Sequence, residues 1–478
     1  MRRVLPDLSV RYLRTSALAA AWVALVTPAF SASLTNRPVT FTKDIAPLLQ
    51  EKCQNCHRKG EMAPMSLVTY EETRPWAKAI KERVVTRQMP PWHLDKTVGI
   101  QNFQNDISLS DGQISAIAHW VDAGAPQGDL KDMPAPKEWP KNDGWQLAKQ
   151  FGAPDFILKS EDYSMPAKGQ DQWFRPVTPI PVTEPRWVRA VEMRPATQAG
   201  RRITHHALAY LQQEEDGKPM PNLGAGNGGL LMEWAVNKQF DIYRPNTGKL
   251  LVPGAQISWE VHYHAVGDEI RDHVELAVYL YPKAEVPKYR TRLTLFPGTP
   301  VRGLGYSLDI PPNSIAETEG YTTLRSAARL ENFQPHMHLR GKAMLLEALL
   351  PDGSKRTLSY VDHFNFNWMT NYIYADDAAP VLPKGTIVHV VAWHDNTAAS
   401  RNNPDPEQWV GWGDRTVDEM AHAWVNVTDI SDEDYKQWVA NHPQPAPDER
   451  ISDSTREPTR VPCPRQATAQ LPPCVPVP

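Results

Sequence analysis

Short apolar runs of period two, broken by proline and glycine, set the first limit on this chain. Residues 186–193, 256–262, 274–280 and 386–393 each alternate, as strands with one buried face do. Helical spacing is confined to the first third, and 45 prolines deny long helices elsewhere. The span 171–430 therefore reads as all-β, sandwich rather than barrel. With 478 residues, three or so folded units are expected at about 100–200 residues each. The net charge of −4 gives no reason to expect a nucleic-acid partner.

Residues 1–33 form a leader. Arg2, Arg3, Arg11 and Arg14 precede the apolar run 17–26, and small residues follow for cleavage. The run falls short of the ~20 residues that span a bilayer. A periplasmic or secreted protein is expected, without stable membrane insertion; an uncleaved anchor is the alternative. Residues 431–478 are a Pro-rich tail, in which Cys463 and Cys474 can pair in an oxidising compartment.

Cys53-Gln54-Asn55-Cys56-His57 is the attachment motif for a c-type haem. The two thiols add to the haem and His57 ligates the iron. A redox-active or zinc-binding Cys-x-x-Cys is the competing reading of the motif alone. Ile45, Leu48 and Leu49 before it have helical spacing. After it, Ser110 or Asp111 caps a helix whose stripe is Ile114, Ile117 and Trp120, and Gly124 ends it. Residues 38–130 thus resemble a class I cytochrome c, which implies a small all-α domain and one covalent haem c. The family's sixth ligand is a Met from a loop, and Met89, in the stretch 87–92, fits best. Met62, Met65 and His93 are its rivals. Residues 131–170 read as a linker.

Four further motifs lie downstream. They are His205-His206, then His262-Tyr263-His264, then His336-Met337-His338, then Asp418-Glu419-Met420. His336 and His338 share a face if the segment is a strand, and two imidazoles on one face suit Zn, Cu, Fe or Ni. His205 and His206 can meet one ion only at a strand end, a bulge or a sharp twist.

In this order the motifs resemble the copper type II, ascorbate-dependent monooxygenases. The resemblance implies two all-β jelly-roll-like domains, at 171–310 and 311–430, facing each other across a solvent cleft with one copper ion on each. Carried over, His205, His206 and His262 hold the electron-relaying copper, with His264 as rival to His262. His336, His338 and Met420 hold the copper that meets oxygen. The implied activity is hydroxylation of a C–H bond of a small molecule or peptide by O2. Electrons would come through the fused haem from ascorbate or a redox protein. Unlike the animal enzymes, this chain has no Cys between residues 57 and 462. The competing reading is a non-catalytic copper-binding or docking module beside an electron-transfer cytochrome. His389 and His394 read as structural.

Overall fold

The computed structural model describes residues 37–442, apart from 60–62, 64, 139–143, 216–217, 220–228, 236–237 and 303–304, together with 449–450. The expected leader, the tail pair Cys463 and Cys474, and Met62 lie outside the described residues. Among the described residues strand accounts for 39% and helix for 16%, so β structure predominates. Among the described residues no helix is long and apolar enough to cross a membrane.

One antiparallel sheet runs through the body of the protein. Its central strands, six of sixteen, are β1 (Thr204–Gln212), β2 (Gly229–Ala235), β3 (Gln256–Tyr263), β4 (Tyr289–Pro297), β5 (Asn332–Met337) and β6 (Ala421–Ile430), in the order β3-β1-β2-β4-β6-β5. Alternation gives each strand two buried faces. On β1, Ala207, Ala209 and Leu211 enter a first core with Val191, Trp259 and Leu276. On β6, Ala421, Ala423 and Val425 enter a second core with Phe333, Leu346 and Val390. The residues between them, Leu208 and Tyr210 on β1 and Trp424 on β6, meet in a third, smaller cluster with Leu230 and Leu293. That cluster is where the two β units press together. A second sheet, built on Ile315–Thr323, Ile387–Asp395, Gly341–Leu349 and Ser354–Val361, closes the second core.

The small all-α cytochrome c domain expected over 38–130 does not form as such. The described α-helices there are short: α1 (Ala46–Lys52), a single turn at Tyr70–Thr73, α2 (Ala77–Val85) and α3 (Asp111–Asp122). Ser110 caps α3 in a capping box with Gln113, and Ile117 and Trp120 are fully buried beneath it. Between α2 and α3, however, the chain runs extended across the second β unit. Leu94 bridges Val361 and Phe103 bridges Tyr374. The amides of Asp95, Ile100 and Gln104 donate to Tyr360, Leu358 and Ile373 carbonyls at 2.9, 2.9 and 2.8 Å. Trp92, Leu94 and Phe103 are buried in the second core. Apolar side chains inside the span expected to form a cytochrome c domain thus belong to a β unit some 270 residues away in sequence, roughly the separation of Phe103 from Tyr374. The expected linker also ends early, because Phe156–Lys159 already pairs with the strand Val274–Leu280.

Candidate functional site

The helices end at a cavity of about 880 Å³. Cys53, Cys56 and His57 line it, with Leu67, Ile80 and Val84 supplying apolar wall and Met89 on the loop after α2. The first β unit contributes Glu192, Arg194 and Lys238, and the second contributes Trp368, Thr370 and Ile373. All four residues expected to attach or ligate a haem thus face one space. The rival Met65 also lines it; the rival His93 is buried elsewhere, with its amide on the Tyr372 hydroxyl at 3.2 Å.

His57 Nδ1 donates to the Met65 carbonyl at 3.3 Å, which leaves Nε2 with its lone pair. Burial lowers the imidazole's affinity for a proton, outweighing that carbonyl, so the ring is neutral at pH 7. Burial pushes the Cys53 thiol up to about 12. The volume, the apolar wall and the donor set fit a covalently held haem.

The second feature is a row of imidazoles at the seam of the two β units. The ladder pairs His262 on β3 with His206 on β1, and Tyr263 with Thr204, so His205 is the extra residue of a bulge. A bulge is one of the three geometries that the adjacent pair required; the side chain of His205 itself lies outside the described residues. The rings of His206 and His262 stand 3.9 Å apart, centroid to centroid. Glu260 Oε1 lies 3.1 Å from His262 Nε2. Burial raises the Glu260 carboxyl, but His262 and Arg175 more than offset it and hold it below the usual range.

On β5, His336 pairs with His422 of β6, and Met337 with Ala421. Side chains of one face recur every second residue and face their ladder partners. His336 and His422 therefore belong to one face, and His338 follows just beyond the end of β5. The His336 ring is 5.5 Å from His338 and 4.6 Å from His422. Glu419, fully buried, ties the two strands beyond the ladder. Its carboxylate accepts the amides of His338 at 2.9 Å, Arg340 at 2.6 Å and Met420 at 3.3 Å. One carboxylate thus fixes the backbone of His338 and of Met420. Met420 is half-buried, and its carbonyl lies 3.3 Å from His394 Nε2. Burial lowers His338 to about 4 and His422 to about 3, so both are neutral, the form that ligates metals.

The two histidine sets do not face each other across a solvent cleft here. The rings of His206 and His336 are 5.9 Å apart, and His206, His336, His338 and His422 are all buried. The cause is the seam itself: the outer faces of β1 and of β6 pack on each other, so polar residues of both are enclosed. Gln334 of β5 accordingly reaches Glu233 of β2 at 2.5 Å. The donors form a row rather than closed cages; among the described residues no three His, Cys, Asp or Glu side chains already converge on a metal-sized point. Neutral buried imidazoles are donors of the type that suits copper.

His389 is structural as read, between Glu347 at 3.2 Å and Glu319 at 3.1 Å. Sequence reasoning missed two residues. His422 pairs with His336 across the ladder, a contact between distant strands that no motif marks. Glu419 offered no such signal, because its role is to reach backbone amides of a distant segment.

No family model and no curated protein matches this chain. Among solved structures, PNGF-II in its P21 crystal form is 9% identical, with a TM-score of 0.25, over 57% of this chain and 65% of that one. The infectious bursal disease virus VP2 subviral particle is 9% identical, with a TM-score of 0.19, over 59% and 76%. The chain thus spans just under two thirds of the first of these, and neither likeness carries an argument about fold or function.

Proposed function

We propose that this is an exported, haem-bearing copper monooxygenase that hydroxylates a C–H bond with O2. Cys53 and Cys56 would attach the haem, and His57 and Met89 would be the residues that hold its iron. His205, His206 and His262 would hold one copper ion, and His336, His338 and Met420 the other. Bound, these groups would supply one-electron storage at the haem and O2 chemistry at copper.

The observation that supports the reading best is the short distance from cavity to imidazoles. Lys238 on the cavity wall exchanges two backbone hydrogen bonds with Ala235, at 2.9 and 3.0 Å, and Ala235 is the ladder partner of His206. One isolated bridge and one rung of the sheet therefore link the cavity wall to the first imidazole, a compact route for single electrons. Around the imidazoles the chain excludes water: Trp173 packs edge-on against His262 at 5.3 Å, and Trp424 against His422 at 5.0 Å. The thioether of Met420 would favour Cu(I), the state that meets oxygen.

Elemental analysis of the full chain from a host that matures c-type haem tests the reading. About two copper and one iron per chain, with reduction of both on adding ascorbate under nitrogen, are expected. Haem that survives denaturing electrophoresis in the native chain and is lost in Cys53→Ala would support the attachment, and Met89→Ala should lose the low-spin spectrum. Iron without copper would overturn the enzyme and favour the docking module, which the row-like spacing of the histidines also suits. Neither metal would overturn both.

A further inference from the structure

We infer that Glu260 is the positioning residue for His262, fixing its ring with the proton on Nε2 and the lone pair on Nδ1. The tautomer is a property of this chain alone; its use, to present one defined nitrogen to copper, rests on the reading above. Three observations carry it. Glu260 and His262 are two residues apart on β3, so their side chains share a face. Glu260 Oε1 lies 3.1 Å from His262 Nε2, and Glu260 is only 5% exposed. The other oxygen, Oε2, accepts from Arg175 Nε at 2.7 Å.

A carboxylate paired with a guanidinium offers lone pairs and no proton, so the ring nitrogen facing it must be the donor. A neutral imidazole carries a single N–H. With that N–H on Nε2, the lone pair sits on Nδ1. Arg175 does more than balance charge. It engages Oε2 through Nε, which holds the carboxylate in one orientation and leaves Oε1 to the ring. Arg175 follows the strand Gln172–Phe174, which pairs with β3 so that Trp173 stands opposite His262. His262 thus has Trp173 across one ladder and His206 across the other, with ring centroids at 5.3 and 3.9 Å. Packing fixes where the ring stands; the carboxylate fixes which nitrogen is protonated. A carboxylate on one ring nitrogen also raises the basicity of the other, which strengthens metal binding.

The test is ring-nitrogen NMR on the full-length chain, labelled with nitrogen-15 histidine and without added copper. It is recorded about two pH units above the ordinary histidine value of about 6.5. The His262 signals are assigned by their loss in His262→Gln. In wild type the protonated nitrogen should be Nε2. In Glu260→Gln the tautomer should reverse: Arg175 takes the single amide oxygen, so the NH2 turns to the ring and Nε2 becomes the acceptor. A packing role alone would leave the tautomer unmoved in this variant of equal shape. Wild-type His262 protonated on Nδ1, or on both nitrogens, overturns the inference, and so does a Glu260→Gln spectrum like wild type. The wild-type spectrum decides alone if the variant folds poorly. Copper gives the second readout, by titration of both chains against a coloured Cu(I) chelator. One of two sites should bind about ten-fold or more weakly in Glu260→Gln, since partners of ligands are worth roughly 10–100-fold. Equal affinities would overturn the positioning role. A wild type that binds no copper overturns the copper reading and leaves the tautomer as the spectrum decides it.

Discussion

Glu419→Ala and Glu419→Gln together test how the imidazole face is held. The Glu419 carboxylate is fully buried and accepts three backbone amides, from His338, Arg340 and Met420. Alanine leaves all three donors without a partner. At about 1–3 kcal/mol for each buried unsatisfied group, the loss is at least about 3 kcal/mol. Glutamine has the same shape but one acceptor oxygen. Placed at Oε2, that oxygen keeps His338 and Met420 and turns an NH2 toward Arg340, so about 1–2 kcal/mol is lost for one donor. Charge adds little to the difference. Burial pushes the carboxyl up to about 7 against the pull of the amides and Arg340, so charged and protonated forms are near balance at neutral pH. Urea unfolding at pH 7, followed by tryptophan fluorescence, measures both variants. Under the copper reading, metal affinity should fall with stability in the alanine variant, because the backbones of His338 and Met420 lose their common anchor. A glutamine variant as unstable as alanine would show that charge carries the effect. An alanine variant within about 1 kcal/mol of wild type would refute the anchoring, since that is less than one orphaned amide costs.

Two other perturbations probe the frame. Trp92 packs edge-on against Tyr372 at 4.8 Å and Phe103 at 5.7 Å, so Trp92→Ala should cost roughly 3–5 kcal/mol of the docking of residues 90–107. Limited proteolysis should then cut that segment faster than in wild type, and an unchanged cleavage rate would mean that the segment is not held by the second β unit. Lys249 is buried and donates to the carbonyls of Leu230 and Leu231 at 3.2 and 2.8 Å, and burial pushes it down to about 7. Its folded value lies below the ~10.4 of an unfolded lysine. Between the two the unfolded chain binds the extra proton, so stability rises with pH, by about 2 kcal/mol from pH 7 to pH 9. Lys249→Met should remove that rise, as read from urea midpoints at the two pH values; a rise that persists in the variant would assign it to another group.

Much of the local structure is legible in the residues. Alternation at 256–262 and 274–280 anticipates strands that form, and Ser110, Ile117, Trp120 and Gly124 anticipate α3 with its cap, its buried stripe and a stop at φ +84. The demand that His205 and His206 sit at an irregularity is met by a bulge at that rung. The all-α N-terminal domain is the failure. Trp92, Leu94 and Phe103 look like the apolar residues of a small local core, and no periodicity in 90–107 indicates that their partners are Tyr372, Val361 and Tyr374.

The sequence by itself determined which atoms are offered: two thiols and an imidazole in one short motif, and pairs of imidazoles spaced two apart on strands. Those choices are local, because backbone period and turn chemistry act over a few residues. Only the tertiary structure decided what the atoms meet. Packing the outer face of β1 against that of β6 brought His206 within 5.9 Å of His336 and enclosed both, where sequence resemblance implied a cleft. The same packing set the cavity of about 880 Å³ against both β units and put His422 opposite His336. Contacts across more than a hundred residues follow from burial of whole faces, which no short stretch of sequence encodes.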